Sequence, residues 1–337
     1  MRDVDYGVLN RRDADHERNQ TVCDNVISGR TAWPQGGIPS ERGIDLRGFG
    51  NVVCHNRVSD FGDCVSLQPL TGRSFGNDVF GNDVTRCVDD GIEIDYNEAN
   101  VRVWRNRVYN TRMGVSVQPV RGGPAYILRN ELFNQENKPL KVHNGPAGLV
   151  VAHNTSVKVG NGMHDTSSSI WQNAWFRNNV FLGDRYAFEF LTVATGGFRD
   201  FDYGAWGSSR DGTSAEPWFK WDDVRYDDLA DLQANTIGVE DHGLAASFSD
   251  LVHAALPGSW DVEVAPTNRD LRLADGAPEI DAGAALANLN DAFSLVGAPD
   301  MGAFEHGQSP PAYGPRDPAQ IFADGFESGG TSLWSAP

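Results

Sequence analysis

Arg105-Asn-Arg-Val-Tyr109, Arg129-Asn-Glu-Leu-Phe133, His153-Asn-Thr-Ser-Val157 and Arg177-Asn-Asn-Val-Phe181 place Asn106, Asn130, Asn154 and Asn178 at a spacing of 24 residues. Gly81-Asn-Asp-Val84 adds Asn82 one interval earlier, and Asn56 and Asn25 extend the series backwards with insertions. A fixed period of this length marks a repeat architecture, in which each unit buries its apolar face only by stacking on the next. Between the asparagines run Gly43-Ile-Asp-Leu46, Cys64-Val-Ser-Leu67, Gly91-Ile-Glu-Ile-Asp95, Gly114-Val-Ser-Val-Gln118 and Pro139-Leu-Lys-Val-His143. Apolar and polar residues alternate in each, as a strand with one buried side requires, and no unit holds a helical apolar period. The expected fold is all-β: a parallel β-helix of about 24-residue coils. The repeated Asn is read as structural, turning a tight bend in the left-handed conformation and bonding the Asn one coil away.

Charge and composition exclude several classes. The chain has 337 residues, 40% hydrophobic, with 28 Lys+Arg against 46 Asp+Glu and a net charge of -18. That balance argues against a general nucleic-acid or membrane-surface binder, and no run of 18 apolar residues exists to span a bilayer. Four cysteines, Cys23, Cys54, Cys64 and Cys87, include no CxxC pair, so a zinc site is not expected. Cys23 and Cys54 both lie two residues before a repeat Asn, which puts them on adjacent coils within disulfide reach; two buried thiols are the other reading. Met1 to Gly7 has no apolar leader, and the coils start in mid-pattern near Arg18. The expectation is a piece of a longer product whose N-terminal cap is missing.

The coils are expected to occupy residues 1–183. Residues 184–306 read as an aromatic-rich insertion followed by an irregular closing segment that caps the last coils. Phe198, Phe201, Tyr203, Trp206, Trp218, Phe219, Trp221 and Tyr226 either pack against the helix flank or form a platform for sugar rings. Residues 227–241 suit a short helix. Residues 307–337 read as a Pro-rich linker and a C-terminal tail.

Stacked strands align their outward residues in columns, neighbouring rows being roughly 4.8 Å apart. The expected rows are Asp45 and Arg47, Ser66 and Gln68, Glu93 and Asp95, Ser116 and Gln118, then Lys141 and His143. Asp45 and Arg47 suit an exposed ion pair, and His143 and His164 ordinary surface histidines. Asp89-Asp90-Gly91-Ile92-Glu93 is the densest acidic group, with Asp63 entering its strand one coil below as Asp90 does. Crowded carboxylates suit a hard cation such as Ca²⁺, or else a solvated turn. Between Asn100 and Gly145 eight Lys+Arg meet two acids, a local charge of +6 that leaves -24 elsewhere. A basic belt beside acids fits an anionic glycan, with about half of those cations expected to face elsewhere.

The repeat over residues 20–183 resembles the pectate-lyase-like right-handed parallel β-helix superfamily, which contains lyases, hydrolases, epimerases and non-enzymatic surface proteins. Asp89-Asp90-Gly91-Ile92-Glu93 resembles the Asp-Asp-Gly-x-Asp metal site of calcium-dependent pectate lyases, with Glu93 in place of the last Asp. The resemblance implies a calcium site at Asp63, Asp89, Asp90 and Glu93, and a strand lysine, Lys141, as base. Lys141 lies two coils past Glu93, where the pattern leads one to expect one. Arg121 is a candidate to steady developing charge, and Glu93, Asp95, Gln118 and Arg112 are candidates to hold substrate. The leading function is calcium-dependent β-elimination on a uronic-acid polysaccharide. A hydrolase pairing these carboxylates with His143, and a non-catalytic glycan-binding β-helix, are the alternatives. Residues 321–335 are similar to tails of exported bacterial proteins, which implies a secreted or cell-surface protein, here expected to be monomeric.

Overall fold

The computed structural model describes residues 1–10, 17–35, 40–69, 73–167, 170–192, 199–290 and 297–317. It is a right-handed parallel β-helix. One sheet stacks Tyr6–Asn10, Arg42–Leu46, Asp63–Ser66, Asp83–Glu93, Arg107–Val117, Glu131–Val142 and Thr155–Lys158 in parallel order, continuing to Leu244–Ala245. A second runs from Thr21–Cys23 through Val52–Cys54, Asp78–Phe80, Val101–Trp104 and Arg121–Leu128 to Arg199–Asp202. Met163–Asp165, Phe188–Phe190 and Phe219–Trp221 form a further sheet, following the pattern of the latter half of Glu131–Val142. Tyr6–Asn10 already pairs with Arg42–Leu46, so stacking begins earlier than the Arg18 position read from sequence.

The interior is built from columns of like residues. Val53, Val79, Val103, Ile127, Val151, Phe176 and Phe201 follow one another in register, and Ile44, Val65, Ile92, Val115 and Leu140 form a second column. Each fully buried side chain contributes about 2 kcal/mol of transfer free energy. The first column changes from β-branched residues to Phe towards residue 200, where the interior takes larger side chains. The aromatic-rich segment serves this end: Phe201, Trp206, Phe219 and Tyr226 are buried. The packing reading therefore holds for them rather than the sugar platform, and Phe198 lies outside the described residues. The helix expected after residue 226 is Leu229–Asn235, started by Asp228, whose side chain accepts from the Asp231 N–H.

The asparagine ladder is present with two corrections. Asn25, Asn56, Asn82, Asn106 and Asn130 each donate through Nδ2 to the Oδ1 of the next Asn at 2.9–3.0 Å. Asn154 donates instead to Asn179, not Asn178, so the last interval is 25. The left-handed residue is also not the ladder Asn but its predecessor: Asp24, His55, Arg105, Arg129, His153 and Asn178 all have φ between +50 and +61°. Turning the corner one residue early points the following amide inward, where it bonds backbone and neighbour. Asn178 therefore serves as a corner residue and binds Ala284 instead.

Both disulfides lie between neighbouring coils. Cys23–Cys54 has a Cα–Cα distance of 4.5 Å, and Cys64–Cys87, which the sequence did not single out, 5.7 Å.

After Leu244–Ala245 the chain turns back along the flank. Asn110 and Asn134 hold Val264 and Val262, Thr155 holds Ala303, and Arg129 pairs with Glu305 at 2.6 Å. The Gly314 N–H donates to Gly81 O, and Arg316 pairs with Asp24 at 2.6 Å. The segment read as a closing cap and a linker thus reaches the early coils, and the tail beyond Asp317 lies outside the described residues. Its apolar side chains Leu251, Leu271, Met301 and Phe304 cover Tyr109, Phe133 and Val157 on the outer side of the first sheet. That leaves the latter halves of the same strands as the face on which the charged columns stand.

Candidate functional site

The strand registers set the columns directly. Asp45, Ser66, Glu93, Ser116 and Lys141 are successive partners across five coils. His164, Glu189 and Lys220 are likewise successive partners in the sheet beyond. A second column, three residues earlier in each strand, pairs Arg42 with Asp63, and Asp90 with Met113 and then Lys138. The Asp90 N–H, 3.3 Å from Asp63 Oδ1, links its two parts. Two residues after the first column in each coil come Arg47, Gln68, Asp95, Gln118 and His143, and the Gln118 N–H donates to Asp95.

At the centre lie five carboxylates. Oxygens of Asp63, Asp89 and Asp90 all come within 4.8 Å of one another, and so do those of Asp90, Glu93 and Asp95. Asp63, Asp90, Glu93 and Asp95 are buried. Burial first and Glu93 second push the Asp63 carboxyl up to about 8, and the same causes push Asp95 up to about 7. Burial also raises Asp90 well above the usual carboxylate range, Lys141 opposing it and Asp63 and Asp89 adding to it. Asp95 is further held by the Ser116 hydroxyl at 2.6 Å and the Gln118 N–H at 2.7 Å.

Two cations close the cluster from opposite ends. Lys141 reaches past the intervening coil to place Nζ 3.1 Å from Asp90 Oδ2. Burial would lower its pKa, but Asp90, Asp95 and Asp89 outweigh burial and raise it, so Lys141 stands here as an ammonium. At the other end Arg42 places Nη2 3.2 Å from Asp63 and Nη1 3.2 Å from Glu93 and 2.6 Å from the Ser66 hydroxyl. Arg112 approaches Asp89 at 3.7 Å. Asp45 and Arg47, read as an exposed pair, are a buried one at 3.0 Å, because both side chains lie inside the flank of the early coils.

The remaining sequence-derived candidates separate. His143 sits beside the cluster, its Nε2 hydrogen-bonded to Lys138 Nζ at 2.6 Å and 3.9 Å from Asp165. Burial and Lys138 lower its pKa. His164 is not an ordinary surface histidine: burial first, then Lys138 and Lys158, depress it to about 3, and its Nδ1 is buried without a hydrogen bond. Arg121 lies on the second sheet, exposed, with its guanidinium 5.4 Å from the Tyr96 ring. Of the basic belt, Arg112, Lys138 and Lys141 reach the acidic face. Arg102 pairs with Asp78, Arg107 with Asp83 and Arg129 with Glu305, away from it.

Sequence reasoning missed Arg42 and Lys138. A signal existed: both stand three residues before the outward residue of their strands, as Asp63 and Asp90 do.

No protein-family model and no curated protein matches this chain. Its fold is similar to the crystal structure of pectate lyase Pel9A, with 19% sequence identity, coverage of 78% of this chain and 67% of that one, and a TM-score of 0.43. At that identity the similarity is one of fold.

The donor set fits a hard divalent cation: every ligand is a carboxylate oxygen, and a cation, the Arg42 guanidinium, already sits among them. Fully ionised, Asp45, Asp63, Asp89, Asp90, Glu93 and Asp95 would carry six negative charges against the four positive ones of Arg42, Arg47, Arg112 and Lys141, so a divalent ion would offset the repulsion that raises Asp63, Asp90 and Asp95.

Proposed function

We propose that this chain is a calcium-dependent polysaccharide lyase that cleaves a uronic-acid-containing glycan by β-elimination. The observation that carries the reading is the contact between Lys141 and Asp90, which joins a lysine to the acidic cluster across two coils. Asp63, Asp89, Asp90 and Glu93 would hold the ion, whose charge would bind a uronate carboxylate and acidify the proton on the adjacent carbon. Lys141 Nζ would take that proton. In the arrangement described it is protonated, and it becomes a base when the Asp90 carboxylate is engaged by something other than the ammonium. Arg112, beside Asp89, would contact the anionic chain, and Gln118 and Asp95 would hydrogen-bond its hydroxyls; Arg121 would meet it only where the glycan extends beyond this face. Two disulfides suit an oxidising compartment, which supports secretion or display at the cell surface.

One observation favours a second reading. Asp95, pushed up to about 7, can keep its proton near neutrality, as the acid of a glycoside hydrolase must. A single assay separates the two. Polyuronates are incubated with the chain before and after dialysis against a chelator, and products are read by ultraviolet absorbance and by reducing ends. The lyase reading expects unsaturated products that vanish on chelation and return with calcium. Reducing ends without absorbance, unaffected by chelation, would replace it with hydrolysis, and binding without turnover would leave a glycan-binding protein.

A further inference from the structure

We infer that Arg42 is a built-in competitor for the cation of the acidic cluster, and that a divalent ion enters by displacing its guanidinium from Asp63 and Glu93. The inference rests on the metal reading of that cluster and deepens it. Arg42 comes from the strand one coil before Asp63, and its side chain is mostly buried, 16% exposed. Nη2 lies 3.2 Å from Asp63, and Nη1 lies 3.2 Å from Glu93 and 3.7 Å from Asp45. The Ser66 hydroxyl, which Nη1 reaches at 2.6 Å, itself donates to the same Glu93 oxygen at 2.6 Å. The guanidinium therefore occupies two of the carboxylates that the ion needs. Asp89 and Asp90 are left to Arg112 and Lys141. The guanidinium takes one oxygen of each group, Asp63 Oδ2 and Glu93 Oε2, and its positive charge beside them opposes a second cation, so ion and guanidinium compete for the same two carboxylates. Arg42 thus keeps the cluster folded when no ion is bound and sets how much ion is needed to fill it.

The test is calorimetric titration of calcium into the chelator-treated full chain, the Arg42→Gln variant and the Arg42→Lys variant, with circular dichroism to check the fold. Removing one positive charge from contact with the ligands is expected to tighten calcium binding about tenfold or more in Arg42→Gln. Arg42→Lys, which keeps the charge, is expected to bind close to the parent. Equal or weaker binding by a folded Arg42→Gln overturns the inference while leaving the metal reading intact; no binding by any of the three removes both. The unaltered chain supplies an independent measurement. Phenylglyoxal labelling of Arg42, mapped by mass spectrometry, rises on adding calcium if the guanidinium is displaced. Labelling that stays constant while calcium binds overturns the inference.

Discussion

The asparagine column along one corner and the carboxylate columns on the neighbouring face are both stacks of buried polar side chains repeated coil by coil, yet they reach opposite electrostatic ends. In the first, each amide gives one hydrogen bond to its neighbour and takes one from the other side, so every rung satisfies the next and no net charge accumulates. In the second, stacking brings like charges together, and the chain answers with Arg42 and Lys141 at the ends of the cluster and with raised pKa values in its middle. Repetition stabilises a self-complementary group and destabilises a self-repelling one. A buried stack that cannot satisfy itself is the place to look for a ligand that can.

The largest contrast is expected in activity. Lys141→Gln removes the cation that meets Asp90 and should lower turnover about a thousandfold on a polyuronate, with an unchanged circular dichroism spectrum. Asn106→Ala should leave turnover per folded molecule unchanged. Loss of activity in the ladder variant alone, with Lys141→Gln fully active, would reverse the assignment of the two stacks.

The pH dependence of stability should sharpen the same contrast. Asp63 and Asp95 hold their protons more tightly folded, at about 8 and about 7, than in the unfolded chain, at 3.8. Between those values the folded state binds more protons than the unfolded one. Stability therefore falls as pH rises from about 4 towards 8, by a few kcal/mol in cation-free protein. Thermal melts across that range should show the decline, Asp63→Asn should flatten it, and calcium at the upper end should restore the lost stability. A flat profile in the chelator-treated chain would mean that the carboxylates are compensated without a ligand.

The smallest effect belongs to the ladder, and it concerns stability alone. Asn106→Ala removes the Oδ1 that accepts from the Asn82 backbone N–H and side-chain amide, and removes the Nδ2 donor from the Asn130 Oδ1 and the Val79 carbonyl, while the residue-106 backbone N–H still donates to Asn130. The expected cost is about 2–4 kcal/mol, independent of pH between 5 and 8 and of calcium, as read by denaturant titration.

The repeat, the strand runs and the outward rows were legible in the sequence because a solenoid converts a chain interval into a vertical neighbour: the residue 24 positions on is the contact. Asp63 could be set beside Asp89, Asp90 and Glu93 because it enters its strand as Asp90 does, 27 residues before it, and the resemblance to an Asp-Asp-Gly-x-Asp site joined the four. Local chemistry misled where two answers fit the same letters. Asn178 and Asn179 both suit the ladder, and the choice between them rests on which of the pair turns the corner. Arg42 was overlooked because an arginine beside a strand looks like a solvated residue until its reach across two coils is known.

The sequence by itself determined the helix of strands, its period and the acidic rows, since all three follow from periodicity and from the geometry of a stacked strand. The tertiary structure alone decided that Lys141 crosses a coil to meet Asp90 and that Arg42 lies among the carboxylates. It also decided that residues 251–290 and 297–316 run back to cover half of the sheet. Long flexible side chains and a non-repeating segment have no register to read, so their partners are chosen by packing and by unbalanced charge after the coils have stacked.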